Sequence, residues 1–439
     1  MYRTEPTARK ERAILVGVIL PGSDVDTHDP LGELRSLVRT AGATVAYEMT
    51  ARRDRIHPGL YVGAGKAEQI ADLADAAEAD VVVFDTDLSP AQIRDLENIV
   101  GRRVLDRSEV ILDIFAAHAR TSEAKLQVEL AQLEYTYPRL RHMWSHLERI
   151  AGGASSAAAA VGGIGTRGPG EKQIEIDRRL VRKRVTELKR RITEIDKRKQ
   201  RIVRNRRGNF LICLVGYTNA GKSTMMNLLT GAGVGVADQL FATLDTRTRR
   251  WNLGDGQIAL LSDTVGFISR LPHHLIASFR ATFEEAIGAD LLLHVADASA
   301  PRVEQQIQAV DSVLDELGCN RKDQLLLFNK TDRITDPTIR KVLSGKHPGA
   351  IFTSAATGEN ADAVVEAVLM KIQGRWVSVT IEADCANGRL MQYLARHART
   401  TVKTYLDSSV RMEATIGEKH LAELNAFGKD VKILTGIGN

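Results

Sequence analysis

Long apolar runs are missing from this sequence. No stretch reaches the roughly 18–20 apolar residues that a membrane-crossing helix needs, so no membrane span is expected. The opening residues, MYRTEPTARKERAILVGVIL, are charged, but their apolar part runs on into a patterned segment rather than toward a small-residue cleavage site. No signal peptide is expected. Cysteine is scarce: Cys213, Cys319 and Cys385 are the whole supply, an odd count without metal-ligand spacing. That excludes a disulfide framework and fits a reducing, cytoplasmic compartment, with peripheral attachment to membranes left open. Cys213 falls inside an apolar run and reads as a small buried hydrophobe. No Ser/His/Asp arrangement, paired carboxylates or zinc pattern stands out. His273 and His274 read as exposed helix-start residues rather than as a general base.

What is present is core material for several domains. With 439 residues and 44% apolar content, the chain has the composition of an ordinary globular protein and the length of about three domains. Its charge is unevenly spread. Residues 178–207 hold fifteen Lys/Arg against three Asp/Glu, a local +12 inside a chain whose net charge is +5. Everything else therefore sums to −7. A run of one sign repels itself unless a polyanion lies against it, so this stretch points to a phosphate backbone bound through counterion release.

Residues 1–120 alternate strand candidates (13–20, TVAYEM at 44–49, 79–85, 102–106) with helical patterns (31–42, 66–78, 89–100), as expected of a small parallel sheet covered by helices. Within it, Gly63-Ala-Gly65-Lys66 can be a phosphate-cradling loop or a tight turn with a helix-start lysine. Residues 121–207 change character. Leu126, Leu130, Leu133, Tyr137 and Leu140, then Ile174, Val181, Val185, Leu188, Ile192, Ile195 and Ile202, step in threes, fours and sevens. Such seams predict two long helices packed as an antiparallel coiled coil, the first shortened or kinked at Pro138. The Gly/Ala/Ser-rich stretch 151–170 joins them, with Arg167 as its one charge. It reads as a linker or as a tip that orders on RNA. Residues 208–374 give the strand and helix succession of a doubly wound nucleotide-binding sheet. Residues 375–439 give a small α+β domain, read as strand, helix, strand, helix, strand.

The chemistry is concentrated in 208–374. An apolar strand ends at Gly216-Tyr217-Thr218-Asn219-Ala220-Gly221-Lys222-Ser223, a match to G-x4-G-K-[ST]. Glycines let backbone amides close on an anion, Lys222 offers charge to the β- and γ-phosphates, and Ser223 offers a hydroxyl to Mg²⁺. About forty residues on, a second apolar strand ends at Asp263-Thr264-Val265-Gly266, placed to hold Mg²⁺ through Asp263 and to sense the γ-phosphate through the Gly266 amide. A third ends at Asn329-Lys330-Thr331-Asp332. A carboxylate accepts both N1–H and N2–H of guanine, and adenine has no such donor pair, so the expected nucleotide is GTP or GDP. Ser354, Ala355 and Ala356 would complete the base pocket through backbone amides. Phe267 stands where a water-orienting glutamine is common. Slow hydrolysis, accelerated by a partner, is therefore expected.

At this point the chain resembles the HflX-type GTPases, ribosome-associated members of the translation-factor-related P-loop class. The matching strings are YVGAGKAEQI (61–70), AKLQVELAQLEYTYPRL (124–140), GGIGTRGPGEKQIEIDRR (162–179), GYTNAGKST (216–224), FATLDTRTRR (241–250), DTVGFI (263–268) and LPHHLIASFRATFEE (271–285). The resemblance spans residues 13–373. It implies a monomeric GTP hydrolase whose N-terminal half docks on the large ribosomal subunit near the peptidyl-transferase region, through the helix at 178–207 and the loop at 151–170. It also implies splitting or rescue of stalled ribosomes, often under stress. Phe241, Ala242, Thr243, Leu244 and Asp245 would form the first switch over the γ-phosphate. Ser223 and Thr243 would be the Mg²⁺ ligands, with Lys222, Thr243 and Gly266 acting in catalysis. Asn219 matches the asparagine that helps hold K⁺ in related loops, or is an asparagine kept for its turn preference. Lys172 stands where threonine is usual and Thr246 where proline is, which makes Thr246 a rival to Thr243 for the metal. Two other readings stay open: an ATP- or GTP-dependent RNA-remodelling enzyme with ATP at Gly63–Lys66, and a GTP-gated scaffold for a non-ribosomal partner.

Overall fold

The computed structural model describes residues 10–22, 28–139, 178–195, 210–231, 246–254, 257–269, 283–373, 376–406, 408–424 and 431–435, with isolated positions at 26, 233, 240, 241, 272 and 427. The chain divides into two compact units. One comprises Met1–Asn205, Ala237–Asp245 and Arg270–Thr282; the other comprises Arg206–Val236, Thr246–Ser269 and Phe283–Asn439.

The first unit opens with β1 (Arg12–Ile19), α1 (Gly32–Thr40), β2 (Thr44–Arg52), α2 (Ala64–Ala76), β3 (Val81–Phe84), α3 (Pro90–Val100), β4 (Arg103–Leu105), α4 (Arg107–His118) and α5 (Ser122–Thr136). The strands lie in the order β2-β1-β3-β4, all parallel, as the alternating pattern predicts. Ile14, Val16, Val62, Ile70, Val82, Phe84 and Leu96 form the buried core on one face. α3 begins at a capping box on Ser89, with Pro90 at its first position, and ends at Gly101 with φ +67°, so both ends are written in the sequence.

Asp106 is completely buried and does several jobs. Its carboxylate caps α4 by accepting from Glu109 N at 3.0 Å, and accepts from Leu88 N at 3.2 Å, from Tyr135 Oη and from Arg139 at 2.6 Å. The Arg139 guanidinium also lies over the Tyr135 ring, 3.5 Å from its centroid. The charge is thereby paired and hydrogen-bonded, the condition on which a buried carboxylate is tolerated.

α5 stops at Thr136, two residues before Pro138. Its buried positions are Ala124, Gln127, Val128, Leu130, Ala131 and Tyr135, so Leu130 of the predicted seam is buried while Leu126, Leu133 and Tyr137 are half-buried. Burial also reaches Gln127, a polar residue that apolar periodicity does not mark. A further helix, α6, covers 178–195, with Leu188 of the predicted seam fully buried. Arg184–Glu129 (2.7 Å) and Lys189–Glu134 (2.8 Å) join it to α5. Leu140, Ile174, Ile202, the stretch 151–170 and the basic residues 196–207 lie outside the described residues.

The second unit carries β5 (Phe210–Gly216), α7 (Lys222–Thr230), β6 (Arg247–Gly254), β7 (Gln257–Asp263), α8 (Glu284–Gly288), β8 (Leu291–Asp297), α9 (Val303–Glu316), β9 (Asp323–Asn329), α10 (Pro337–Lys346), β10 (Ile351–Phe352) and α11 (Ala361–Gln373). The sheet runs β10-β9-β8-β5-β7-β6, parallel except for β6. β5 is central, with later strands added on either side, so the loop after it leaves at the topological switch point.

The last domain holds β11 (Trp376–Asp384), α12 (Gly388–His397), β12 (Ala398–Leu406), β13 (Ser409–Gly417), α13 (Glu418–Leu424) and β14 (Lys432–Thr435). Its antiparallel sheet, β12-β13-β11-β14, has the split βαβ topology. There is one strand more than the sequence predicts, because a turn at Ser408 breaks the polar/apolar alternation of 398–417 into a hairpin. β12 is an edge strand and carries a register shift between Thr400 and Val402.

Candidate functional site

The carboxyl ends of β5, β7, β8 and β9 bring the predicted nucleotide groups together. β5 is buried from Ile212 onward and ends at Gly216, which has φ +150°. A Cβ there would stand 2.2 Å from the Val295 carbonyl oxygen, so no other residue lets the loop leave the sheet so close to β8. The chain turns through Asn219 at φ +60° and Gly221 at φ +96° before α7 begins at Lys222. Asn219 is exposed on the loop, in the left-handed region that asparagine tolerates.

Lys222 is folded under the loop. Its ammonium donates to the carbonyls of Gly216 (3.1 Å) and Tyr217 (3.0 Å), and only 7% of the residue is exposed. Burial lowers its pKa to about 8, offset in part by the Asp263 carboxylate. A polyanion arriving there would favour the charged form further and raise that pKa. Ser223 Oγ donates to Asp263 Oδ2 at 2.7 Å. One hydroxyl and one carboxylate side by side are the hard oxygen donors that suit Mg²⁺, which keeps most of its shell as water and phosphate. Among the described residues no cluster of three His, Cys, Asp or Glu is placed to hold a metal.

Asn329 links three loops. Its Nδ2 donates to Ala220 O at 2.8 Å, and its Oδ1 accepts from Ala355 N at 2.9 Å. A Cβ on Gly221 would collide with that Nδ2 at 2.2 Å. Lys330, at φ +61°, swings back to pair with Asp297 at 2.7 Å. Asp332 is exposed, and Ser354 Oγ donates to its Oδ1 at 2.5 Å, which leaves a carboxylate facing outward where the base would be read. Thr331 Oγ1 donates to Glu359 at 2.6 Å. Glu359 and Asp297 are the brace residues that motif reading misses. Asp297 carries a usable signal, an aspartate directly after an apolar strand; Glu359 carries none.

Several of these groups are engaged within the protein itself. Phe241, expected over the nucleotide, has its ring buried edge-on against Phe115 at 4.7 Å, in the first unit. The amides of Ser354 and Ala355 are already given to Glu359 O and Asn329 Oδ1. In this arrangement they do not line the base pocket, because the loop satisfies its own donors first. The Ala356 side chain is exposed beside them. Thr264 Oγ1 donates to Leu214 O at 2.7 Å and Val265 is buried, so both side chains belong to the core. Phe267 is wholly buried and stacks on Phe283, centroids 5.2 Å apart. Ala242, Thr243, Leu244 and Asp245 lie outside the described residues, as do His273 and His274. Gly63 has φ +86° and precedes α2, and the Lys66 ammonium donates to Gln69 on its own helix at 3.0 Å.

Three family models match in succession: GTP-binding GTPase N-terminal over residues 28–116, GTP-binding GTPase Middle Region over 118–207, and 50S ribosome-binding GTPase over 211–330. A protein named GTPase HflX from Lacrimispora saccharolytica is 41% identical over 418 residues, covering 94% of this chain and 96% of that one. The Escherichia coli K12 protein of the same name is 44% identical over 384 residues, 87% of each. Among solved structures, a GTP-binding protein from the hyperthermophilic archaeon Sulfolobus solfataricus in complex with GDP aligns with 82% of this chain and 98% of that one, at 22% identity and TM-score 0.42.

Proposed function

Because this chain belongs to the HflX family of GTPases, we propose that it works as a nucleotide-gated switch on the large ribosomal subunit, splitting or rescuing stalled ribosomes under stress. The chain binds GTP and hydrolyses it to GDP and phosphate. The observation that carries the switch is the Asn329 side chain, which joins the phosphate loop to both base-reading loops, so a guanine nucleotide is gripped at both ends by one connected structure. Ser223 and Thr243 would hold Mg²⁺, with Asp263 acting through water, and the ion would supply positive charge against the phosphates. Lys222 and the Gly266 amide would stabilise the charge that develops on the transferred phosphoryl group.

The ribosomal part of the proposal rests on the family description matched over 211–330 and on the charge of 178–207. The described stretch refines that charge. Arg184, Lys189, Arg190 and Arg191 are engaged with Glu129, Glu134, Glu194 and Glu187, Arg182 donates to the Tyr137 hydroxyl, and Arg179 and Lys183 are exposed. An electrostatic footprint smaller than the raw count of fifteen follows. The phenyl ring of Phe267 is turned into the core and offers no hydrogen bond to a water, which supports slow hydrolysis alone and acceleration on the ribosome.

Co-sedimentation with purified large subunits at several salt concentrations, with GTP, GDP and a non-hydrolysable analogue, tests the reading. Binding that depends on the nucleotide and weakens steeply with salt is expected. Equal binding in all three states, or unaltered hydrolysis on adding ribosomes, would refute it.

A further inference from the structure

Gly266 ends the D-x-x-G motif, and its amide was expected to meet the γ-phosphate. Instead, the backbone of Gly266 and Phe267 lies along the phosphate loop. Phe267 N donates to Gly216 O at 3.1 Å, and Thr218 N donates to Phe267 O at 2.6 Å. The result is a parallel bridge between Tyr217 and Phe267. It is one residue out of step with the β5–β7 ladder, in which Leu214 faces Asp263. Gly266 is so close to the loop that a Cβ would stand 2.8 Å from Thr218 and 2.9 Å from the Lys222 ammonium. The space beside that ammonium, the charge meant for the terminal phosphates, is thus filled by the protein's own backbone.

Downstream, the same segment is fastened a second time. Ser269 N donates to the Tyr217 hydroxyl at 2.7 Å, and the Ser269 and Tyr217 hydroxyls are 2.6 Å apart. The Phe267 ring is sealed beneath, nearly parallel to Phe283 at 10°. At the joint, Thr218 is 94% buried by area and its Oγ1 meets no hydrogen-bond partner among the described residues. A buried hydroxyl is seldom left so, and a ligand is the simplest way to complete it.

We propose that residues 266–269 form a latch over the γ-phosphate position, that Tyr217 and Ser269 hold it shut, and that this pair sets how strongly the site favours a nucleoside diphosphate over a triphosphate. The proposal rests on reading 216–223 as the phosphate loop. A triphosphate must lift Gly266 away from Lys222, breaking the Thr218–Phe267 bond and drawing Ser269 off Tyr217. A diphosphate need not. The work of opening therefore weakens triphosphate binding alone, since a ligand shifts an equilibrium only by its differential affinity for the two states.

The test is the ratio of Kd for GDP to Kd for a non-hydrolysable GTP analogue, measured by calorimetry on the full chain with Mg²⁺. Tyr217→Phe keeps the ring and removes the hydroxyl that both Ser269 contacts need. At the usual strength of two net hydrogen bonds, the ratio should rise about five- to 150-fold toward the triphosphate. Ser269→Ala keeps its N–H and should give a smaller shift in the same direction. The two changes combined should give less than their product, because they remove one shared contact. A ratio within about twofold of wild type in both variants would overturn the latch, as would an equal gain for both nucleotides. If thermal unfolding shows that Tyr217→Phe does not fold, Ser269→Ala decides alone. Wild-type protein that bound neither nucleotide would overturn the reading of the loop, and the latch with it.

Discussion

Replacing Asn329 with alanine tests whether the phosphate and base ends of the site are mechanically one. The side chain is 2% exposed and makes two hydrogen bonds of good length, one to each neighbouring loop. Each is worth about 0.5–1.5 kcal/mol net, so losing both removes roughly 1–3 kcal/mol. If the loss falls on the nucleotide-bound state, GDP should bind about five- to 150-fold more weakly. Asn329→Asp should do at least as much harm, since it faces a carboxylate oxygen toward the Ala220 carbonyl where a donor stood. Calorimetric titration with GDP gives the affinity, and thermal unfolding of the nucleotide-free chain gives the stability of the loops alone. The expected pattern is a large fall in affinity with a smaller fall in unfolding temperature. Affinity within twofold of wild type in Asn329→Ala would refute the claim that this side chain couples the two ends.

Other outcomes follow from other residues. Glu109 is desolvated near Asp106, and despite Arg139 its pKa is raised to about 7. The folded chain then holds a proton that the unfolded chain releases above about 4.5, so stability should decline as pH rises from about 4.5 to 7. Glu109→Gln should flatten that decline, and unfolding curves that stay parallel to wild type across pH 5–8 would contradict it. Gly216→Ala forces a Cβ into the Val295 carbonyl at an unfavourable φ, a loss of roughly 2–4 kcal/mol visible by denaturant titration; wild-type stability would show that β5 and β8 part more easily than the packing implies. If Asn219 helps to hold K⁺, hydrolysis should run faster in KCl than in NaCl at equal ionic strength, and equal rates would leave Asn219 as a turn residue only.

Much of this site is legible in the sequence because its groups are tied to strand ends, where an apolar run stops and a small set of residues must follow. Gly216, Lys222, Ser223, Asp263, Asn329 and Asp332 are found that way. The braces are harder. Glu359 acts through one long side chain reaching Thr331, and Ser269 through a hydroxyl beyond the end of its motif, so neither leaves a spacing to recognise. The seat of the Phe241 ring on Phe115 is not legible either, because a motif says which residues travel together and not which way a ring turns. In the first unit the β/α alternation gives the parallel sheet directly. The burial of α5 beyond the predicted seam escapes, since part of it falls on Gln127 and on the small side chains of Ala124 and Ala131. The extra strand at the end of the chain escapes because alternation continues across the hairpin with only Ser408 to interrupt it.

The register shift in β12 has a bearing on self-association. This strand is a sheet edge with a row of backbone groups facing outward, and Val402, Tyr405 and Leu406 are exposed on it, a combination that invites another chain to add a strand. The bulge between Thr400 and Val402 bends that edge and puts its donors and acceptors out of phase with a straight partner. Lys403, exposed just beyond it, would have to be buried beside any incoming strand. A deletion that straightened 400–402, combined with Lys403→Val, would turn the tail of this GTPase into a template for stacking copies of itself.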